Sequence, residues 1–312
     1  MNTKPSIDEL FEHRISYPDV DAQARLSRLV GIDDQKIRLI KMLGLLINPT
    51  GLERWATHFH PDANGVLNII LCRPPLVILA GDVGSGKSAL AETIGDAVAR
   101  QENIDITLFP LSLSTRGQGR VGEMTQLISS AFEYTVHEAA KLKASAAKAR
   151  GAVILLVDEA DAIAQSREAT QMHHEDRAGV NAFIRGVDRI ANNRLPAAVI
   201  MCTNRLAALD PAVKRRAAEI LVFSRPDDIQ RCSILAESLR HFGFNKRQID
   251  ELTVATGLQN GRDYGLTYSD IIQRLLPAII LDAYPANAVN PSRALEIAHN
   301  ILPTPPFKES LL

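Results

Sequence analysis

The sequence predicts an α/β fold: a parallel sheet with helices on both faces, followed by a small helical domain. Three observations carry this reading. Apolar runs of strand length alternate with helical patterns between Leu76 and Phe223. A complete phosphate-binding loop, Gly81-Asp82-Val83-Gly84-Ser85-Gly86-Lys87-Ser88, follows one such run and opens an Ala-rich helix. Beyond Phe223 only helical patterns remain.

Taken in order, the first 27 residues are charged and weakly patterned and read as a short arm. Leu29 to Leu46 carries apolar residues at helical spacing, with Val30-Gly31-Ile32-Asp33 as a turn at its front. A short helix around Trp55 is expected within a loop-rich stretch that reaches Pro75. Leu76 to Ala80, Ile104 to Phe109, Ala152 to Val157 and Ala198 to Cys202 are expected strands. The continuous apolar character of Ala152 to Val157 and Ala198 to Cys202 suits strands buried on both faces. Met124 to Arg150 reads as a long helix between the second and third of them. Asp227 and Asn245 are placed as N-caps of two later helices, and Thr267 with Asp270 as a capping-box start of a third. Pro291-Ser292 precedes a last helix. The expected domains are an arm (1–27), an α/β nucleotide-binding domain (28–223) and a helical lid (224–312).

Composition narrows the function classes. The chain has 312 residues, of which 46% are hydrophobic, enough for a packed core. Lys+Arg 35 against Asp+Glu 36 leaves a formal charge of −1, which gives no general attraction to nucleic acid or membrane. Cys72, Cys202 and Cys232 are odd in number and set in apolar sequence, so no disulfide framework is expected. No run reaches the ~20 apolar residues a membrane helix needs, and a soluble, cytoplasmic protein is the expectation.

The chemistry concentrates at strand ends. The glycines of the loop let backbone N–H groups turn toward phosphate oxygens at a helix N-terminus. Lys87 would reach the β- and γ-phosphates, and Ser88 would ligate Mg²⁺. Asp158 ends the Val153–Val157 run, where it could hold the metal, leaving Glu159 to activate water. Asp161 is read as a helix-surface charge. Asn204 follows the next strand and could hydrogen-bond both the γ-phosphate and the attacking water. Lys214-Arg215-Arg216 is ordinarily a solvated face; in a ring-forming ATPase a guanidinium there could reach a neighbouring subunit's phosphate. The paired histidines His58/His60 and His173/His174 lack partners at ligand spacing, so metal binding by histidine is not expected.

Phosphate loop, Asp-Glu strand end, Asn204 and paired arginines, in this order, resemble an AAA+ ATPase from about Leu29 to Pro303. The resemblance implies that Gly31, Ile32 and the loop through Ala89 hold ATP, and that the chain works as a homo-hexamer. A narrower likeness is to the pachytene-checkpoint AAA+ ATPases that remodel HORMA-domain proteins. It rests on Val180-Asn181-Ala182, Val187-Asp188, Val199 to Asn204, and Arg216-Ala217. Only about 28 residues precede Val30-Gly31, as in the short bacterial forms associated with cyclic-oligonucleotide anti-phage signalling. A HORMA protein, bound or not to a nucleotidyltransferase, is the implied partner. Arg215 and Arg216 are the arginine-finger candidates, with Arg216 the better match.

Two positions depart from the family. Arg120 stands where the substrate-gripping pore loop carries an aromatic residue, with Val121 after it. Ile271 stands where a lid arginine is expected, and Arg274 is one turn on; neither is assigned that role. The rival class is a DNA-handling AAA+ protein such as a helicase or clamp loader. Lys141, Lys143, Lys148 and Arg150 favour it, whereas the balanced charge and 5% aromatics oppose it.

Overall fold

A computed structural model describes residues 7–62, 67, 69–70, 73–112, 123–143, 149–162, 174–259 and 261–306. The chain divides into two compact units. One comprises Met1–Leu26, Asp34–Ala80 and Ser88–Leu221; the other comprises Ser27–Asp33, Gly81–Lys87 and Val222–Leu312.

The strands are β1 (Ile15–Tyr17), β2 (Leu76–Gly81), β3 (Asp105–Pro110), β4 (Gly151–Val157), β5 (Ala197–Thr203) and β6 (Ala217–Phe223). They form one sheet in the order β1-β3-β4-β5-β2-β6. The pairings of β3 with β4, β4 with β5 and β5 with β2 are parallel. Every residue of β4 and β5 is buried, as their unbroken apolar sequence requires. Successive side chains leave opposite faces of a strand. Leu76, Ile78, Val153, Leu155, Val199 and Met201 accordingly join one core with the helices Glu123–Leu142 and His174–Asn192. Phe132 and Phe183 meet edge-on in that core at 5.4 Å.

The expected parallel strands are joined at one edge by an antiparallel strand, so the sheet as a whole is mixed. β1 pairs antiparallel with β3, Ile15 opposite Leu108 and Tyr17 opposite Ile106. It comes from the segment read as a short arm, where three strand residues among charged neighbours give no usable period. Leu10, Phe11, Tyr17 and Ala22 are buried, so this segment contributes to the core.

In the second unit the helices Asp228–Leu239, Lys246–Ala255, Leu276–Ala283 and Pro291–Asn300 surround Leu235, Leu239, Leu252, Leu266, Ile271 and Leu275. The expected caps are present. Asp227 and Asn245 each accept from the N3 amide while Gln230 and Gln248 return a bond to the cap amide. Each such cap stabilises its helix by about 1 kcal/mol. Thr267 and Asp270 make the same reciprocal pair at 3.0 Å in both directions. The turn that follows, Asp270–Leu275, is a π-helix rather than the α-helix its pattern suggests. Among the described residues no helix is long and apolar enough to cross a membrane.

Candidate nucleotide site

β2, β5 and β4 are adjacent and parallel, so Ala80, Thr203 and Val157 all end at the same edge of the sheet. In an open α/β sheet this carboxyl edge is where ligands bind. At this edge Gly81 closes β2, while Asn204 and Asp158 follow β5 and β4.

The phosphate loop is shaped by positions that only glycine can occupy. Gly81 has φ +149°, and a Cβ there would lie 1.9 Å from the Phe223 carbonyl oxygen. Gly84 has φ +71°, and a Cβ there would come within 2.8 Å of Thr267 Oγ1 and Ser269 Cβ. Inside the turn Lys87 is only 6% exposed. Its Nζ donates to Gly81 O at 3.0 Å, Asp82 O at 2.7 Å and Ser85 Oγ at 3.3 Å. Ser85 donates in turn to Asp82 O at 2.8 Å. The 16-residue helix Lys87–Glu102 begins here, with Ser88 half-buried and Ala89 exposed in its first turn. A buried ammonium within a glycine turn at a helix N-terminus fits a polyphosphate, because dipole, amides and cation all favour negative charge.

Ile32 belongs to the same unit and sits by the loop: a Cβ at Gly86 would be 3.9 Å from Ile32 Cδ1. Gly31 has φ +83° and its carbonyl accepts from Gln230 Nε2 at 2.6 Å. The Gly31 turn is thereby tied to the helix Asp228–Leu239.

At the end of β4, Asp158 Oδ1 accepts the Glu159 N–H at 2.8 Å. Glu159 is exposed and lies at φ +48°, a left-handed conformation that is costly for a side chain with a Cβ. Asp161 corrects the sequence reading. Rather than a surface charge, it accepts from Thr203 Oγ1 and, at 3.3 Å, from the Asn204 N–H. Thr203 Oγ1 itself accepts from Arg205 N–H at 3.0 Å. Asp161 therefore braces the turn that presents Asn204. A carboxylate three residues past Asp158 was the available signal, but nothing local reveals that it crosses to β5.

Among the described residues no group of three or more His, Cys, Asp or Glu side chains forms a metal site. Mg²⁺ is commonly held by one or two carboxylates together with substrate phosphates, so the pair Ser88 and Asp158 suits it by donor type. In the arginine segment Arg215 is exposed, whereas Arg216 makes a fork to Asp188. Arg274 donates to Asp270 and to Leu302 O, both at 2.9 Å, and Ile271 is fully buried. Arg120, Val121, Lys148, Cys72 and His173 lie outside the described residues. Lys141 pairs with Glu138 at 2.6 Å and Lys143 donates to Asn193 O, so two cations of the basic stretch already have partners.

A phosphate loop between strand and helix, with an acidic pair ending another parallel strand of the same sheet, defines the class: a phosphate-loop ATPase. Residues 77–225 match the model of the ATPase family associated with various cellular activities (AAA). Over 307 residues the chain is 65% identical to CD-NTase-associated protein 6 of Escherichia coli (strain MS 115-1), covering 98% of this chain and 99% of that one. It superposes on a chain of the E. coli MS115-1 HORMA:CdnC:Trip13 complex with a TM-score of 0.91, at 64% identity over 98% of this chain and 100% of that one. Rhizobiales Trip13 gives a TM-score of 0.77 at 55% identity, covering 95% and 100%. The chain belongs to the AAA ATPases and, among them, to the CD-NTase-associated protein 6 family.

Proposed function

We propose that the chain is the ATP-driven motor that remodels a HORMA-domain protein associated with a CD-nucleotidyltransferase, and so ends or recycles a bacterial anti-phage signal. The observation that carries this is the near-complete match, in sequence and fold, to a chain solved in a HORMA:CdnC:Trip13 complex. We place it in the cytoplasm as a homo-hexamer with ATP at each subunit junction.

In this reading Gly81 to Ala89, with Gly31 and Ile32 at the base, hold the nucleotide. Residues 28–223 serve as the nucleotide-binding domain, 224–312 as the lid and 1–27 as a leading segment. Lys87 turns some of its donors from loop carbonyls to phosphate oxygens. Ser88 and Asp158 would hold Mg²⁺, which would neutralise charge on the β- and γ-phosphates. Glu159 accepts a proton from the attacking water. Asn204, fixed by Asp161, orients that water. Arg215 or Arg216 of a neighbouring copy stabilises charge on the transferring phosphoryl group. The loop around Arg120 and Val121 grips the substrate chain through the aliphatic stem of the arginine and the valine.

The test is capture. Glu159→Gln held with ATP and Mg²⁺ in native cells should retain a HORMA-fold protein, and Lys87→Ala should not. Retention of DNA or replication proteins in its place would sink the remodelling reading while leaving the ATPase intact.

A further inference from the structure

The phosphate loop carries an anion of its own. Asp82, its second residue, is 8% exposed, and its Oδ1 accepts the Val83 N–H at 2.8 Å. A carboxylate inside an anion-binding turn opposes a polyphosphate unless a cation neutralises it. Arg225 is that cation: its Nε donates to Asp82 Oδ2 at 2.6 Å, and only 14% of its side chain is exposed.

The other two guanidinium nitrogens reach away from the loop. Arg225 Nη1 donates to Gly265 O at 2.8 Å and Nη2 to Thr304 O at 2.6 Å, while the guanidinium stacks 4.7 Å from the Tyr264 ring centroid. Thr304 is held from its other side as well. Its N–H and hydroxyl donate to Asp270 at 2.9 and 2.7 Å, and Asp270 also accepts the Thr267 N–H. A second link runs in parallel: Ser269 N–H donates to Gly84 O at 2.9 Å. Loop, Gly265–Asp270 turn and Thr304 thus close a ring of hydrogen bonds. The loop also falls in the same compact unit as the lid helices.

We infer that Arg225 is a positioning residue that neutralises the carboxylate built into the phosphate loop and transmits the loop's conformation to the lid turn and the Thr304 segment. The inference rests on the nucleotide-binding reading of the loop. A ligand that reorders residues 82–84 moves the acceptors of both Arg225 and the Ser269 amide. Nucleotide state is thereby passed to the lid without a lid side chain touching phosphate, and the coupling acts equally in reverse. The role needs arginine, since three acceptors in different directions match a planar fork and not a point charge.

The experiment measures ADP affinity by calorimetry on the full chain, together with amide exchange at Ser269 and Thr304. Arg225→Gln leaves Asp82 buried and unpaired and should weaken ADP on the order of tenfold or more. Asp82→Asn added to Arg225→Gln should restore affinity to within about threefold, because the orphan charge is gone. Arg225→Lys keeps the charge and should bind ADP nearly normally, yet lose most ADP-induced protection at Ser269 and Thr304. Wild-type affinity in Arg225→Gln, or no rescue in the folded double variant, overturns the inference. If Arg225→Gln fails to fold, Arg225→Lys decides: protection equal to that of the parent chain overturns the coupling. A parent chain that bound no ADP would overturn the ATPase reading together with this one, whereas ADP binding indifferent to Arg225 removes this one alone.

Discussion

Asp188 holds Arg216 through two parallel hydrogen bonds, Nε to Oδ1 at 2.7 Å and Nη2 to Oδ2 at 2.9 Å. Arg216 Nη1 also donates to Ala212 O at 3.1 Å. The hydrogen bonds that Arg216 donates to Asp188 raise the guanidinium pKa above its ordinary value. Arg215, next to it, is exposed. One arginine is committed within its own chain and the other faces outward.

This separates the two finger candidates. Arg215→Ala should lower kcat by ~10³-fold or more while leaving ADP affinity unchanged. Arg216→Ala should cost stability of about 0–1 kcal/mol, the range for a partly exposed pair, and reduce turnover less. Steady-state ATPase assays on both variants decide it; the larger loss in Arg216→Ala would move the finger to 216.

Glu159 combines its proposed role as the base with backbone strain. Glu159→Gln is expected to bind ATP normally and lose ~10²–10⁴-fold in kcat. Glu159→Gly should be equally inactive yet gain about 0.5 kcal/mol, because glycine adopts φ +48° without a Cβ penalty. Thermal melts of the two variants would show the difference, and a Tm for Glu159→Gly below the parent's would refute the strain argument.

Asp161→Ala removes the acceptor for Thr203 Oγ1, an almost fully buried hydroxyl, and for the Asn204 amide. A loss of about 1–3 kcal/mol is expected. Turnover should fall more than nucleotide affinity does, since the brace serves Asn204 rather than the loop. Equal loss of kcat and affinity would mean that Asp161 supports the whole sheet edge instead.

Asp270 makes the helical unit sensitive to acid. Burial alone would raise its carboxyl pKa. The Thr267 N–H, the Thr304 hydroxyl and N–H, and the Thr267 hydroxyl outweigh that, so the group titrates below its ordinary value. A depressed folded-state pKa contributes stability that is fully present above the unfolded value, about 3.9, and lost as pH falls through the folded one. The urea midpoint of unfolding should therefore fall as pH drops from about 5 to below 4. Asp270→Asn should be less stable at neutral pH and show a flatter acid limb; an unchanged limb would count against this assignment.

Much of the fold was legible because its signals are local. β2, β3, β4 and β5 were each expected within one or two residues of where they lie; for β2, β4 and β5 the signal is the nearly continuous apolar run of a strand buried on both faces. Asp227 and Asn245 cap their helices as expected, because a cap reaches only three residues along the chain. β1 was missed: its pairing with β3 is set by tertiary contact and not by its own pattern. Asp161 was misread for the same reason, its partner lying 42 residues away.

The sequence by itself determined that there is a phosphate loop, that a strand and a helix flank it, and that an Asp-Glu pair ends a buried strand. Covalent order and side-chain periodicity are enough for that. Only the tertiary structure decided which donor each carboxylate meets: Asp188 with Arg216, Asp161 with Thr203, and Asp82 with Arg225 across 143 residues. Such pairs form when separate elements bury their apolar faces together. A charge then takes whichever partner packing brings within hydrogen-bond reach, and no local pattern encodes that choice.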